Sequence, residues 1–150
     1  DLDRPYIADA GFGDGLLDPV PLAEGAYTQR SFTFRLEKLD TRWWRFHNQQ
    51  YGSAPSFDFI DEPADPALLE RKCLWLQQDA SPFVNNVILQ AHTPAGVAAL
   101  RGRGLRLIDS AGAHDRIVED CEDYARVLAE VFNLPTADAP ALWRKIADAP

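Results

Sequence analysis

An aspartate followed by three alternating glycines, Asp9-Ala10-Gly11-Phe12-Gly13-Asp14-Gly15, is the stretch of this chain best suited to chemistry. Tyr6–Ala10 reads as a short, largely apolar strand, so Asp9 stands near its end. A carboxylate there is costly to desolvate unless it is paired or hydrogen-bonded. One use is local: the side chain caps the glycine turn that follows. The other is catalytic: a buried orienter that fixes the tautomer of a catalytic histidine and stabilises its cation. The local residues leave both uses open. Gly11, Gly13 and Gly15 let the backbone turn sharply or approach a ligand closely. Their spacing is not the dinucleotide fingerprint, and no Gly-Lys-Ser/Thr follows as in a phosphate loop. Asp9, Asp14 and Asp18 lack both the EF-hand spacing and its terminal glutamate, so no metal is expected.

Other potential nucleophiles and bases are less well placed. Cys121 lies among Glu119, Asp120, Glu122 and Asp123, whose charge disfavours a thiolate. Cys73 shares a helical stripe with Leu69 and Leu76 and reads as a small buried thiol. His47 alternates with strand residues near Trp44 and reads as a surface position of a barrel. His92 ends a strand, and His114 falls in a turn over 112–115. None is placed to complete a triad with Asp9. Arg42-Trp43-Trp44-Arg45-Phe46 mixes cations and aromatics as a single-strand nucleic-acid platform does. The net charge of −8 argues against nucleic acid and against anionic membranes as partners. The two cysteines make neither a disulfide framework nor a zinc spacing, so a reducing cytoplasm is the expected compartment.

The elements that must position these residues change character along the chain. Up to about residue 61 the pattern is β. Phe32, Phe34 and Leu36 alternate onto one face, Trp44 and Phe46 onto another, and Phe57–Ile60 closes the series. Short strands between turn residues suggest a small antiparallel barrel or sandwich. Asp61–Pro66 is the linker candidate, followed by a helix over 66–78. Phe83–Leu89 reads as a strand, 93–96 as a turn, and Val97–Arg101 and Leu105–Ile108 as paired strands. Asp120 caps a helix carrying Tyr124, Val127, Leu128, Val131 and Phe132, ended by Pro135, and a last helix holds Leu142, Trp143 and Ile146. The longest apolar stretches are broken by polar residues and fall short of the ~18 needed to cross a bilayer. The expected class is therefore α+β: residues 1–62 as the remainder of a β-barrel, 63–82 as a connecting helix, and 83–150 as an α/β lid. With no initiator methionine and a strand almost at its start, the chain is expected to be part of a longer polypeptide.

Tyr6-Ile7-Ala8-Asp9-Ala10-Gly11-Phe12-Gly13, followed by Pro19-Val20-Pro21-Leu22, resembles the "VDVGFG…P.PL" segment of the arylamine N-acetyltransferases. Ser81-Pro82-Phe83-Val84 after a Trp-bearing helix is similar to the start of that family's lid. Thr93-Pro94-Ala95-Gly96 is similar to the turn that follows it. Glu122-Asp123-Tyr124, Leu128–Phe132 and Leu142-Trp143-Arg144-Lys145-Ile146 resemble its C-terminal helices in order. The resemblance implies a cysteine-proteinase-like transferase lacking its helical first domain, with acetyl-CoA as co-substrate and an arylamine or hydrazine as acceptor. It makes Asp9 the aspartate of a Cys-His-Asp triad, whose cysteine and histidine would precede Asp1 in a missing N-terminal region. The Gly11, Gly13 and Gly15 loop would approach acetyl-CoA, and Phe12 and Phe83 would line the pocket. This chain alone would then be inactive. An amide synthase of the same superfamily, closing a macrolactam, is a close alternative. A non-catalytic binding module that lost the cysteine domain is another, and a hydrolase with the same triad a third.

Overall fold

The computed structural model describes residues 3–147, and two antiparallel meanders dominate it. A two-stranded ribbon comes first, β1 (Tyr6–Ile7) paired with β2 (Val20–Pro21), and the glycine turn lies in the loop between them. The first meander is β3 (Gly25–Gln29), β4 (Phe32–Lys38), β5 (Trp43–His47) and β6 (Ser56–Ile60), in that spatial order. The alternation read from the sequence holds: Phe32, Phe34, Leu36, Trp44 and Phe46 are buried, and their neighbours face outward. In register, Phe46 faces Phe57, and their rings stack at 4.9 Å with Phe34 5.6 Å beyond. The outer face carries cross-strand ion pairs such as Arg45–Asp58.

No closed barrel forms. The four strands run in simple sequence and the edges β3 and β6 do not pair among the described residues. A four-stranded sheet is too narrow to curl onto itself. It covers its apolar face by packing instead: Val97 and Ile108 of the second sheet join Phe32, Phe34, Leu36 and Phe46 in one cluster.

The second meander is β7 (Ile88–His92), β8 (Val97–Arg101), β9 (Gly104–Asp109) and β10 (Gly112–Ile117). Val97 is opposite Ile108, and Leu100 is opposite Leu105 on the other face. That other face packs against α3 (Cys121–Glu130) and α4 (Ala139–Ile146), burying Leu100, Leu105, Tyr124, Val127, Leu128 and Ile146. Between the meanders run α1 (Pro66–Leu76) and the one-turn α2 (Pro82–Asn85). No described helix is long and apolar enough to cross a membrane.

Several local expectations are corrected. Phe83 is in a helix, not a strand: the Ser81 hydroxyl accepts the Phe83 amide at 3.2 Å and Pro82 takes the first helical position, a cap signal in Ser-Pro. The strand begins only at Ile88. His114 lies within β10, not a turn; the Arg106–Asp115 pair at 2.7 Å bridges β9 and β10. α3 stops at Glu130, ahead of Pro135. Asn133 adopts a left-handed φ of 52°, and the Leu134 amide returns to the Leu128 carbonyl at 2.9 Å. Cys73 is exposed, as are Leu69 and Leu76, because α1 buries none of its residues.

Two positions carry measurable stability. At Gly96 an added Cβ would stand 1.9 Å from the Ile108 carbonyl oxygen. The backbone of β9 would have to move, so Gly96→Ala should destabilise by about 2–3 kcal/mol. Gly104→Ala meets nothing closer than 3.5 Å and serves as the control in a denaturant titration. At Asp123, 8% exposed, the Arg116 guanidinium binds both oxygens, at 2.6 and 3.1 Å. That contact foremost, and the Glu119 amide after it, hold the carboxyl below its ordinary range against the opposing effect of burial. The stabilisation is complete above the unfolded value and is lost as pH falls through the lowered native one. Asp123→Asn should therefore lower Tm at pH 7, and the gap from wild type should begin to shrink as pH falls below about 4 and close only below the lowered native value.

Candidate functional site

Asp9 follows β1, and its two carboxylate oxygens have different fates. Oδ1 accepts the Gly11 amide at 3.0 Å and the Phe12 amide at 2.8 Å, which is the local capping role. Oδ2 is buried and has no hydrogen-bond partner among the described residues. The α-carbon of Gly15 packs against it so closely that a Cβ there would lie 2.1 Å from Oδ2. Glycine at position 15 is thus a requirement of this carboxylate's seat. A buried, unpaired carboxylate oxygen costs on the order of 1–3 kcal/mol or more.

The rest of the turn is braced from three sides. Gly13 has φ +73° and would drive a Cβ to 2.7 Å from Cβ of Gln90, so the turn lies directly on β7. The Gly15 carbonyl accepts from Nε2 of His92 at 3.1 Å, which places a proton on Nε2 because a carbonyl cannot donate. Nδ1 of His92 is buried without a partner. Asp14, 2% exposed, accepts the Ser53 amide at 2.6 Å and Asn48 Nδ2 at 3.2 Å, fastening the turn to the β5–β6 connection. The bracing roles of His92 and Asp14 were not legible in the sequence. Asp14 has no partner near it in sequence, and His92 is 77 residues from Gly15.

Open space flanks Asp9. On one side a cavity of about 250 Å³ is lined by Ile7, Leu16, Phe46, Phe57 and Phe59. On the other, about 390 Å³ lies between Asp9, Gly13, Gly15, Gln90 and His92. Gly11, Phe12 and Asp14 also face a larger cleft of about 900 Å³, whose far wall includes Phe83, Ala99, Arg101 and Ile117. Phe12 serves twice, because its ring also packs edge-on to Phe57 at 5.2 Å. Phe83 is 62% exposed at the cleft's rim. The structure therefore gathers Asp9, Gly11, Phe12, Gly13 and Gly15 in one turn and sets Phe83 across the cleft from it. Cys73, Cys121, His47 and His114 make no hydrogen bond or ion pair with Asp9, and His47 is engaged with Glu37 on the outer sheet face. Among the described residues no group of three or more histidine, cysteine or acidic side chains could hold a metal ion.

A family model described as N-acetyltransferase matches residues 2–140. The chain belongs to the arylamine N-acetyltransferase family. Solved structures share its fold. The arylamine N-acetyltransferase of Mycobacterium abscessus superposes with a TM-score of 0.80 at 24% identity, over 98% of this chain and 56% of that one. The Mycobacterium marinum arylamine N-acetyltransferase, solved in complex with CoA, gives 0.74 at 21% identity, over 97% and 55%. The enzyme of Salmonella typhimurium gives 0.74 at 20%, over 95% and 57%. No curated protein sequence matches the chain. The chain thus spans little more than half the length of the solved N-acetyltransferases it resembles.

Proposed function

We propose that this chain supplies the aspartate-bearing portion of an arylamine N-acetyltransferase, with Asp9 orienting a histidine that lies outside the sequence. The observation that carries this reading is the buried Oδ2 without a partner, beside an Oδ1 already satisfied by its own turn. An imidazole N–H is the donor such an oxygen suits. Held in that tautomer, the other ring nitrogen takes the proton of a cysteine thiol, and the carboxylate stabilises the resulting cation. The thiolate attacks the acetyl carbonyl of acetyl-CoA, the bond to the CoA sulfur breaks, and CoA leaves with the proton from the imidazolium. An arylamine or hydrazine then attacks the thioester, gives its proton to the imidazole and departs acetylated.

In this reading the Gly11–Gly15 turn borders the acetyl-CoA site, and Phe12 and Phe83 form apolar walls of the cleft. Residues 1–62 and 83–150 are its two body units, joined by 63–82. The cysteine and histidine come from an N-terminal region of the same protein. We place the activity in the cytoplasm, where the free thiols of Cys73 and Cys121 persist.

The test uses the longest polypeptide that this gene encodes, incubated with acetyl-CoA and followed by intact mass. One acetyl adduct on a cysteine, discharged by an added arylamine to the N-acetyl product, is expected. A product that holds both cysteine and histidine yet forms no adduct, or releases acetate at a rate indifferent to the amine, would overturn the transferase reading.

A further inference from the structure

Among the described residues, the glycine turn that seats Asp9 takes one side-chain hydrogen bond from the second sheet, from Nε2 of His92 to the Gly15 carbonyl at 3.1 Å. His92 is the last residue of β7 and pairs across the hairpin with Val97, which is buried in the core cluster shared by the two sheets. Thr93 and Gly96 close that hairpin with amide-to-carbonyl bonds at 2.8 and 3.2 Å. The donor therefore stands on a fixed frame, while the acceptor belongs to a residue with no side chain of its own. Packing does not account for an imidazole at this place. Its Nδ1 is buried without a partner among the described residues, a cost that an apolar side chain of similar shape would avoid. What the ring supplies and such a side chain lacks is the Nε2–H.

We infer that His92 is a positioning residue for the Asp9 carboxylate, acting through the backbone of Gly15. The inference rests on the function proposed above and adds a residue to its machinery. Gly15 carries both ends of the linkage. Its carbonyl accepts from His92, and its α-carbon lies against Oδ2, so close that a Cβ would come within 2.1 Å. Held there, the glycine walls in Oδ2 and keeps the carboxylate turned with Oδ1 on the Gly11 and Phe12 amides. Once the carbonyl is released, β7 steadies the turn only through the contact of Gly13 with Gln90, and the carboxylate gains room to rotate. Asp14 still ties the turn to Ser53 and Asn48, so the turn shifts without unfolding. A misplacement of about 1 Å around a group that orients the base is enough to cost on the order of a hundredfold in rate.

The experiment compares His92→Phe, His92→Asn and His92→Gln in the longest polypeptide that the gene encodes. His92→Phe keeps a ring and His92→Asn keeps polarity, but neither brings a donor to the place of Nε2; the longer amide of His92→Gln does. Single-turnover acetylation by acetyl-CoA should slow about ten- to a hundredfold in the first two, with the half-saturating acetyl-CoA concentration within about twofold, and His92→Gln should return to within about threefold of wild type. On an Asp9→Asn background His92→Phe should cost less than about twofold more, because its effect passes through that carboxylate. Hydrogen exchange at the Gly11 and Phe12 amides should quicken in His92→Phe and His92→Asn and recover in His92→Gln. Wild-type rates in the two donor-free variants, a His92→Gln as slow as they are, or a full further loss on the Asp9→Asn background would each overturn the inference. Exchange indifferent to the donor, with Asp9→Asn inactive, would sink the positioning role and leave the transferase reading intact. An Asp9→Asn that acetylates as fast as wild type, with exchange still following the donor, would do the reverse.

Discussion

Asp9→Asn, in the longest polypeptide that the gene encodes, should on the proposed reading lower acetyl transfer by about a thousand- to ten-thousand-fold, with little change in thermal midpoint. The substitution separates the two roles of the carboxylate. The amide oxygen can still accept from Gly11 and Phe12, so the turn survives. The amide nitrogen takes the place of Oδ2, and a donor then confronts the imidazole N–H. The ring is pushed to the wrong tautomer, and the nucleophile loses its base. Asp9→Ala is the companion variant: it removes both oxygens, so activity and turn order should fall together. Single-turnover acetylation with acetyl-CoA measures the effect without interference from product release. Activity within about tenfold of wild type would mean that Oδ2 has no imidazole to hold.

Phe46→Ala should be the most destabilising of the core truncations, by about 3–5 kcal/mol. Phe46 is 1% exposed, stacks on Phe34 and Phe57, and meets the edge of Phe12 at 6.3 Å. For a chain of this size the Tm falls by about 10 °C, readable by circular dichroism. Phe46→Leu keeps most of the volume and should lose less than half as much. The ring also lines the smaller cavity beside Asp9. The alanine variant should therefore loosen the Phe12 and Gly11 amides, and their hydrogen exchange should quicken before that of the α3 amides. A loss below about 1 kcal/mol would show that the aromatic cluster repacks around the hole.

The strands of the first sheet were legible because one face is buried and the other wet. Phe32, Phe34 and Leu36 alternate with Thr33, Arg35 and Glu37, and the structure follows that pattern residue by residue. β10 was not legible: Ala113 to Ile117 lie on an exposed edge, and no alternation marks them. The cap at Asp120 was readable, its side chain accepting the Asp123 amide at 2.8 Å, because the signal is local. The barrel was misread because closure depends on how far a sheet extends, which short strands do not encode. At the site, Asp9 and its glycines were visible as one contiguous stretch. The bracing roles of His92 and Asp14 were not, because His92 reaches the Gly15 carbonyl from 77 residues away and Asp14 is fastened to Asn48 and Ser53, more than thirty residues along the chain. The stripe of α1 was misread as buried because Leu69, Cys73 and Leu76 recur at helical spacing, whereas the folded helix buries none of its residues.

The sharing of one aromatic cluster between the two meanders has a practical corollary. Val97 and Ile108 cap Phe32, Phe34 and Phe46 from across the gap, while Gln90 and His92 shore up the glycine turn from below. Severing the polypeptide at the Asp61–Pro66 connection would leave the front piece with a greasy wall open to solvent and a carboxylate on an unsupported hairpin. Whoever trims this protein for crystals or grafts should keep both meanders on one piece.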